Sequence, residues 1–274
     1  MKCAWNELLE ILPPPIRQQV DMHGRETAQE LRLRLALPPV LVGREPRLLP
    51  GTVTAEQLRY VVNMACRYSP WTAESALEGY ITARGGHRIG LCGEVALKEG
   101  KVASFAGIRS LNIRIARDFP GLAASLAHLR GNVLLLGPPG SGKTTLLRDL
   151  IRQRAQKQMV AVADARGELF PTGMDTGNGV DILTGCPKVR AMEMLLRTMG
   201  PDTIAVDEIT AQGDCDALVQ AGWCGVEVLA TAHAHDLCDL RQRRVYSPIV
   251  ESGVFDHVVV LGRDKSFRVE RMRR

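Results

Sequence analysis

Aromatic residues are scarce, at 4% of 274 residues. That leaves no evident stacking platform for single-stranded nucleic acid. Lysine is scarce too, with seven among the 35 basic residues, so most of the positive charge is arginine. The net charge of +5 is modest and no block of like charges stands out, so nucleic acid is not an expected partner. The basic end formed by Arg271, Arg273 and Arg274 reads as a solvated tail. The seven cysteines include no C-x-x-C pair and their number is odd, which suits reduced thiols in a cytoplasm and excludes a disulfide framework. Cys224, His233, His235 and Cys238 lie close in sequence, but their spacing fits no standard zinc site. No apolar run has the length of a bilayer span. The first residues, with Trp5, Glu7 and Glu10, lack the continuous apolar centre of a signal peptide. The expected protein is cytoplasmic, soluble or peripheral to a membrane. No internal repeat and no low-complexity segment occurs.

What is present is a large apolar fraction, 45%, enough for one large or two modest domains. Two textures divide the chain. Residues 1–118 mix short helices with β-type segments and are expected to form an α+β domain. Trp5 to Leu12 reads as a helix stopped by Pro13-Pro14-Pro15. Glu30 to Leu35 alternates charged and apolar residues, as a half-buried strand does. Thr54 to Tyr68 reads as a helix with Thr54 at its N-cap. The segments Gly79–Ala83, His87–Val95, Lys101–Phe105 and Ser110–Ala116 predict an antiparallel meander, with turns at Gly85-Gly86 and Glu99-Gly100. Asp118-Phe119-Pro120-Gly121 is the expected joint. Residues 119–274 alternate strand and helix. Strands are expected at 133–136, 159–164, 203–207, 226–231 and 257–261, giving a parallel α/β sheet covered on both faces. Ligands of such sheets bind at the carboxyl ends of the strands.

Three such strand ends carry chemistry. The first is Gly137-Pro138-Pro139-Gly140-Ser141-Gly142-Lys143-Thr144-Thr145, which fits the phosphate-binding pattern of Gly, four residues and Gly-Lys-Thr. The buried-type run Val133–Leu136 precedes it and a helical pattern follows, so backbone N–H groups and a helix N-terminus converge on one point. Lys143 would reach the β- and γ-phosphates and Thr144 would hold Mg²⁺. The second is Thr203–Val206 followed by Asp207-Glu208. Asp207 would join the Mg²⁺ shell and Glu208 would polarise the attacking water, the two tasks that phosphoryl transfer requires. A carboxylate directly after the metal aspartate points to the ATPases with an added central strand, and the 159–164 strand falls between the loop helix and Asp207 in chain order. No Asn-Lys-x-Asp sequence for guanine occurs, so ATP is the expected nucleotide. The third is Thr231-Ala232-His233, where Thr231 or His233 would sense a γ-phosphate; spacing alone fits a solvent-facing or core histidine equally. Asp164-Ala165-Arg166-Gly167-Glu168 puts further charges at the same edge, where Asp164 or Glu168 would touch a nucleotide or a neighbouring subunit, or form a solvated loop. The core motifs contain no evident arginine finger. Arg109, Arg114, Arg117 and Arg197 are candidates for supplying one across a ring.

Several stretches together resemble a known family: Glu78–Thr82, Gly85–Leu91 and Ser110–Arg117 before the loop, and Asp181-Ile182-Leu183 with Gly185-Cys186-Pro187-Lys188 after it. With the Asp207-Glu208 strand and Thr231-Ala232-His233, they resemble the stage III sporulation protein AA family. That family is similar to the secretion ATPases of type II and type IV systems, and the resemblance spans nearly the whole chain. It implies a RecA-like P-loop ATPase domain behind the N-terminal domain, assembled as a hexamer. It also implies a role in endospore formation at the cytoplasmic, mother-cell face of a membrane channel complex, with integral membrane components as partners. Lys143, Thr144, Asp207 and Glu208 would keep their ATPase roles, and His233 matches the histidine motif of the secretion ATPases. The segment 164–168 departs from the pattern, with Ala165 and Gly167 in place of charged or polar residues, which leaves Glu168 without an assigned role.

The leading reading is thus a ring ATPase converting ATP hydrolysis into motion at a membrane complex. A nucleic-acid-dependent RecA-like ATPase is the alternative, although no arginine-rich motif follows Thr231. An ATP-binding-cassette protein would need a Leu-Ser-Gly-Gly-Gln-like signature before Asp207, and residues 191–201 offer none.

Overall fold

A computed structural model describes residues 4–66, 76–171 and 174–272. Cys3, the expected helix end at Arg67 and Tyr68, and Arg273 and Arg274 of the tail lie outside the described residues. The chain divides into two compact units, Met1–Asp118 with Pro171–Met174, and Phe119–Phe170 with Asp175–Arg274.

In the first unit, helices α1 (Trp5–Glu10), α2 (Pro14–Gly24) and α3 (Ala55–Cys66) accompany a six-stranded sheet. Its strands are β1 (Glu30–Arg34), β2 (Val40–Val42), β3 (Pro46–Leu48), β4 (Tyr80–Thr82), β5 (Arg88–Lys98) and β6 (Lys101–Arg114), in the order β3-β2-β1-β6-β5-β4. All the pairings are antiparallel. The alternation read in Glu30–Leu35 places Leu31 and Leu33 in the core and Arg32 and Arg34 on the outer face. Trp5, Leu8, Leu58, Val61, Ile89, Leu111 and Ile113 complete one apolar cluster with them. Thr54 caps α3: its Oγ1 accepts from the Gln57 N–H at 3.2 Å, and its own N–H donates to Gln57 Oε1 at 3.0 Å. The two segments expected at 101–105 and 110–116 are one strand. Irregularities of register against β5 absorb the small residues between them. The two-residue turn at Glu99-Gly100 joins Lys98 to Lys101 as expected. Within the Gly85–Leu91 stretch, His87 is a structural pin. It is fully buried, its Nδ1 accepts from the Ala116 N–H at 3.1 Å and its Nε2 meets Ala4 O at 2.7 Å. Burial pushes its pKa down, which favours the neutral ring.

The second unit carries a seven-stranded sheet. Its strands are β7 (Val133–Leu136), β8 (Val160–Asp164), β9 (Val180–Thr184), β10 (Thr203–Ile209), β11 (Glu227–Ala232), β12 (His257–Leu261) and β13 (Phe267–Arg271), in the order β13-β12-β7-β11-β10-β8-β9. The five expected strands are present and parallel. Two edge strands were not expected: β9, which is parallel, and β13, which is antiparallel and makes the sheet mixed. The strand that lies in space between β7 and the Asp207 strand is β11. The 159–164 segment, β8, sits on the far side of β10.

Alternate residues of β7 enter different cores. Leu134 and Leu136 join helices α5 (Lys188–Thr198) and α6 (Gln212–Trp223). Val133 and Leu135 join α4 (Lys143–Arg154). Helices therefore cover both faces, which is why β7 and β8 are buried at every position. The chain leaves β7 toward β8 on one side and returns from β11 to β12 on the other. In open α/β sheets, ligands bind at the carboxyl ends of the strands where the order reverses in this way. Shorter helices α7 (Leu237–Gln242) and α8 (Ser247–Ser252) precede β12. Among the described residues, no helix is long and apolar enough to cross a membrane.

Cys215 on α6 is buried, and its thiol donates to Val245 O at 3.2 Å. Burial, aided by Asp214 and Asp216, pushes that thiol up to about 12. Iodoacetamide at pH 8 is therefore expected to alkylate the exposed Cys92, Cys224 and Cys238 in the folded protein and to leave Cys215 unmodified. Peptide mass mapping with and without denaturant checks this.

Candidate active site

Helix α4 starts at Lys143 without a side-chain cap, and Gly142 before it has a φ of 99°. Glycine meets no Cβ penalty in that left-handed conformation. The first-turn N–H groups of a helix have no intrahelical acceptor, and the helix dipole favours an anion beside them. Ser141 Oγ, in the same loop, is buried and has no hydrogen-bond partner among the described residues.

Lys143 is buried. Its ammonium donates to Gly137 O at 2.8 Å and Pro138 O at 3.1 Å, and meets His233 Nδ1 at 3.1 Å. An ammonium only donates, so Nδ1 accepts and the ring proton belongs on Nε2. Nε2 in turn faces Glu208 Oε1 at 3.3 Å. Burial pushes the Lys143 pKa down, while Asp207 and Glu208 push it back up.

Asp207 and Glu208 owe their placement to a bulge. Val206 pairs with Ala230 and Ile209 with Ala232, so β10 carries one residue more than β11 over this span. Glu208 has a φ of 57°. Neighbouring side chains of a regular strand face opposite sides; here Asp207 reaches Thr144 of the loop while Glu208 reaches His233, the partner of Lys143. Asp207 accepts from Thr144 Oγ1 at 2.8 Å and from Thr231 Oγ1 at 2.6 Å. The Glu208 N–H donates to the same Thr231 hydroxyl at 2.7 Å. Glu208 Oε2 meets Arg166 Nη1 at 3.4 Å.

Thr231 thus joins both acidic residues through one fully buried hydroxyl. Thr231→Val keeps the shape and strands two polar partners. A stability loss of about 1–3 kcal/mol is expected in urea unfolding, whereas Thr231→Ser should retain most of it.

The sequence-predicted residues Lys143, Thr144, Asp207, Glu208, Thr231 and His233 are therefore brought together at one sheet edge. Asp164 has a local structural task. Its buried carboxylate accepts the N–H groups of Glu168 at 2.9 Å, Leu169 at 2.9 Å and Phe170 at 3.1 Å, which folds the turn after β8. Burial pushes its pKa up against those bonds. Of the arginine candidates, Arg109 pairs with Glu94, Arg114 lies 3.8 Å from Glu30, and Arg117 donates to Ala28 O at 2.7 Å. Sequence spacing gives no sign that Arg166 pairs with Glu208, or that Lys188 donates to the Glu208 carbonyl. A small cavity beside the site is lined by Asp164, Arg166, Glu168, Lys188, Asp207 and Glu208.

The profile of the family described as "Sporulation stage III, protein AA" matches residues 4–270. The chain belongs to that family. It is 36% identical over 281 residues to Stage III sporulation protein AA of Bacillus subtilis (strain 168), covering 95% of this chain and 92% of that protein. Among solved structures, the Legionella pneumophila ATPase DotB is similar at a TM-score of 0.60 and 17% identity, covering 93% of this chain and 79% of that one. The pilus retraction motor PilT, solved with bound ADP, is similar at a TM-score of 0.58 and 14% identity, covering 93% and 77%. At these identities the two structures establish a shared fold.

Proposed function

We propose that the chain is an ATP-hydrolysing ring motor of the secretion-ATPase type, with a RecA-like P-loop domain, that energises a membrane channel complex during endospore formation. The carrying observation is the convergence of Lys143, Thr144, Asp207, Glu208 and His233 at one sheet edge. Membership of the sporulation family supports the setting, and the fold shared with the ATPase DotB and the pilus retraction motor PilT supports the motor class. The site on the cytoplasmic, mother-cell face of the membrane and the integral membrane partners belong to the same proposal.

The residues present suit a magnesium nucleotide. The uncapped start of α4 and the buried Ser141 hydroxyl offer donors to phosphate oxygens. Thr144 Oγ1 and the Asp207 carboxylate, already 2.8 Å apart, supply the hard oxygen ligands that Mg²⁺ prefers. Bound there, Mg²⁺ would neutralise charge on the β- and γ-phosphates. Lys143 exchanges its carbonyl partners for phosphate oxygens. Glu208 orients the attacking water and accepts its proton. His233, held between Lys143 and Glu208, keeps that carboxylate in place.

The test is phosphate release by the purified protein with ATP or GTP, with and without Mg²⁺, and with and without single-stranded DNA. Mg²⁺-dependent release from ATP that ignores DNA is expected. Strong stimulation by DNA would favour a nucleic-acid-dependent ATPase instead.

A further inference from the structure

We infer that Lys188 is a positioning residue that holds the Glu208 peptide in the conformation that brings its carboxylate into the site. The inference rests on the reading of Glu208 as the water-activating group.

Lys188 is the first residue of α5, directly after Pro187. The helix gives no reason for a lysine there, because a cation in the first turn opposes the dipole. Nor does the side chain extend into solvent: it is only 16% exposed. Its ammonium donates to the backbone carbonyl of Glu208 and lies 3.8 Å from Asp214 Oδ2. Asp214 is fixed in turn, since its Oδ2 accepts the N–H groups of Thr210 at 3.0 Å and Ala211 at 3.2 Å at the start of α6. Lys188 therefore ties the carbonyl of the bulged residue to the chain immediately after it.

The other side of the same residue is tied as well, by the N–H bond to Thr231. Glu208 needs both ties. Its φ of 57° lies in the left-handed region, where a side chain crowds the following carbonyl. Relaxation to ordinary extended backbone would turn the carboxylate toward the opposite face of the sheet. The stretch Gly185-Cys186-Pro187-Lys188, which the sequence marks without assigning a task, thereby acquires one: it delivers an ammonium to the back of the bulge.

Lys188→Met is expected to lower kcat for ATP about 10²-fold and to leave KM unchanged. Lys188→Arg, which keeps a charged donor, should recover most of the loss. In a Glu208→Gln background, Lys188→Met should cause no further loss, because Lys188 acts through Glu208. If Lys188→Met does not fold, Lys188→Gln, too short to span the same gap, takes its place. A wild-type kcat in the variant overturns the inference. So does a raised KM at constant kcat, which would make Lys188 a nucleotide contact, and so does an additive loss in the double variant. A wild-type protein that does not hydrolyse ATP overturns the proposed function and this inference together. An active wild type with an unaffected Lys188→Met overturns this inference alone.

Discussion

Lys143→Met is expected to lose ATP turnover by about 10²-fold or more while melting no lower than the wild type. The two halves of that result come from one observation. The ammonium is buried against two loop carbonyls and His233, at the place proposed for the nucleotide phosphates and where it is costly to keep. Burial is the largest influence on its pKa, and the direction is downward. A lysine with a lowered folded pKa binds its proton less readily folded than unfolded. Its contribution to stability therefore rises as pH climbs from the folded pKa toward the ordinary lysine range, and at neutral pH the charged group works against folding. Replacing it with an apolar chain of similar length removes that cost. Phosphate release and thermal melting on one preparation check both halves. A variant that still turns over ATP at the wild-type rate would sink the assignment of Lys143 to the nucleotide.

Glu208→Gln should separate binding from chemistry. The substitution keeps the shape and a carbonyl oxygen near His233 Nε2, so bound nucleotide should persist. It removes the proposed proton acceptor, so turnover should fall by about 10²–10⁴-fold. Protein trapped with Mg·ATP would then report on assembly. The proposed ring motor predicts a nucleotide-dependent shift in light scattering from small species to a closed assembly of about six protomers. Protein that stays monomeric at micromolar concentration with ATP bound would count against the ring.

Much of this site is legible in the sequence because it consists of strand ends. The stretches 133–136, 203–207 and 226–231 are largely apolar runs that read as buried strands in alternation with helices, and the polar residues at their ends then fall at the same sheet edge. That logic brings Lys143, Asp207 and Thr231 together without any coordinates. It does not reveal the bulge, because nothing in Val-Asp-Glu-Ile marks an extra residue, and a glutamate is a poor signal for a left-handed backbone. It does not reveal Lys188, whose role depends on where α5 begins relative to β10. Asp164 illustrates the opposite failure. An acidic residue at a strand end reads either as a ligand or subunit contact or as part of a solvated loop, whereas this one is buried and folds its own turn through three backbone N–H groups. The edge strands β9 and β13 escape notice for another reason: they are partly exposed and lack the continuous apolar runs that mark the central strands.

The bulge at Asp207-Glu208 also decides which changes of sequence β10 can absorb. The segment before it is locked in step on both sides, with Thr203 to Val206 paired to Val160–Ala163 of β8 and to Glu227–Ala230 of β11. Apolar residues there can be exchanged for others of like volume without moving the carboxylates. A single inserted or deleted residue has a different consequence, because the ladders fix the count from one end and the turn into α6 fixes it from the other. Either change would cancel or double the offset and send one carboxylate to the wrong side of the sheet. The strand is therefore tolerant in composition and intolerant in length. Lineages of this family should vary freely in the letters of this run while keeping its spelling length constant.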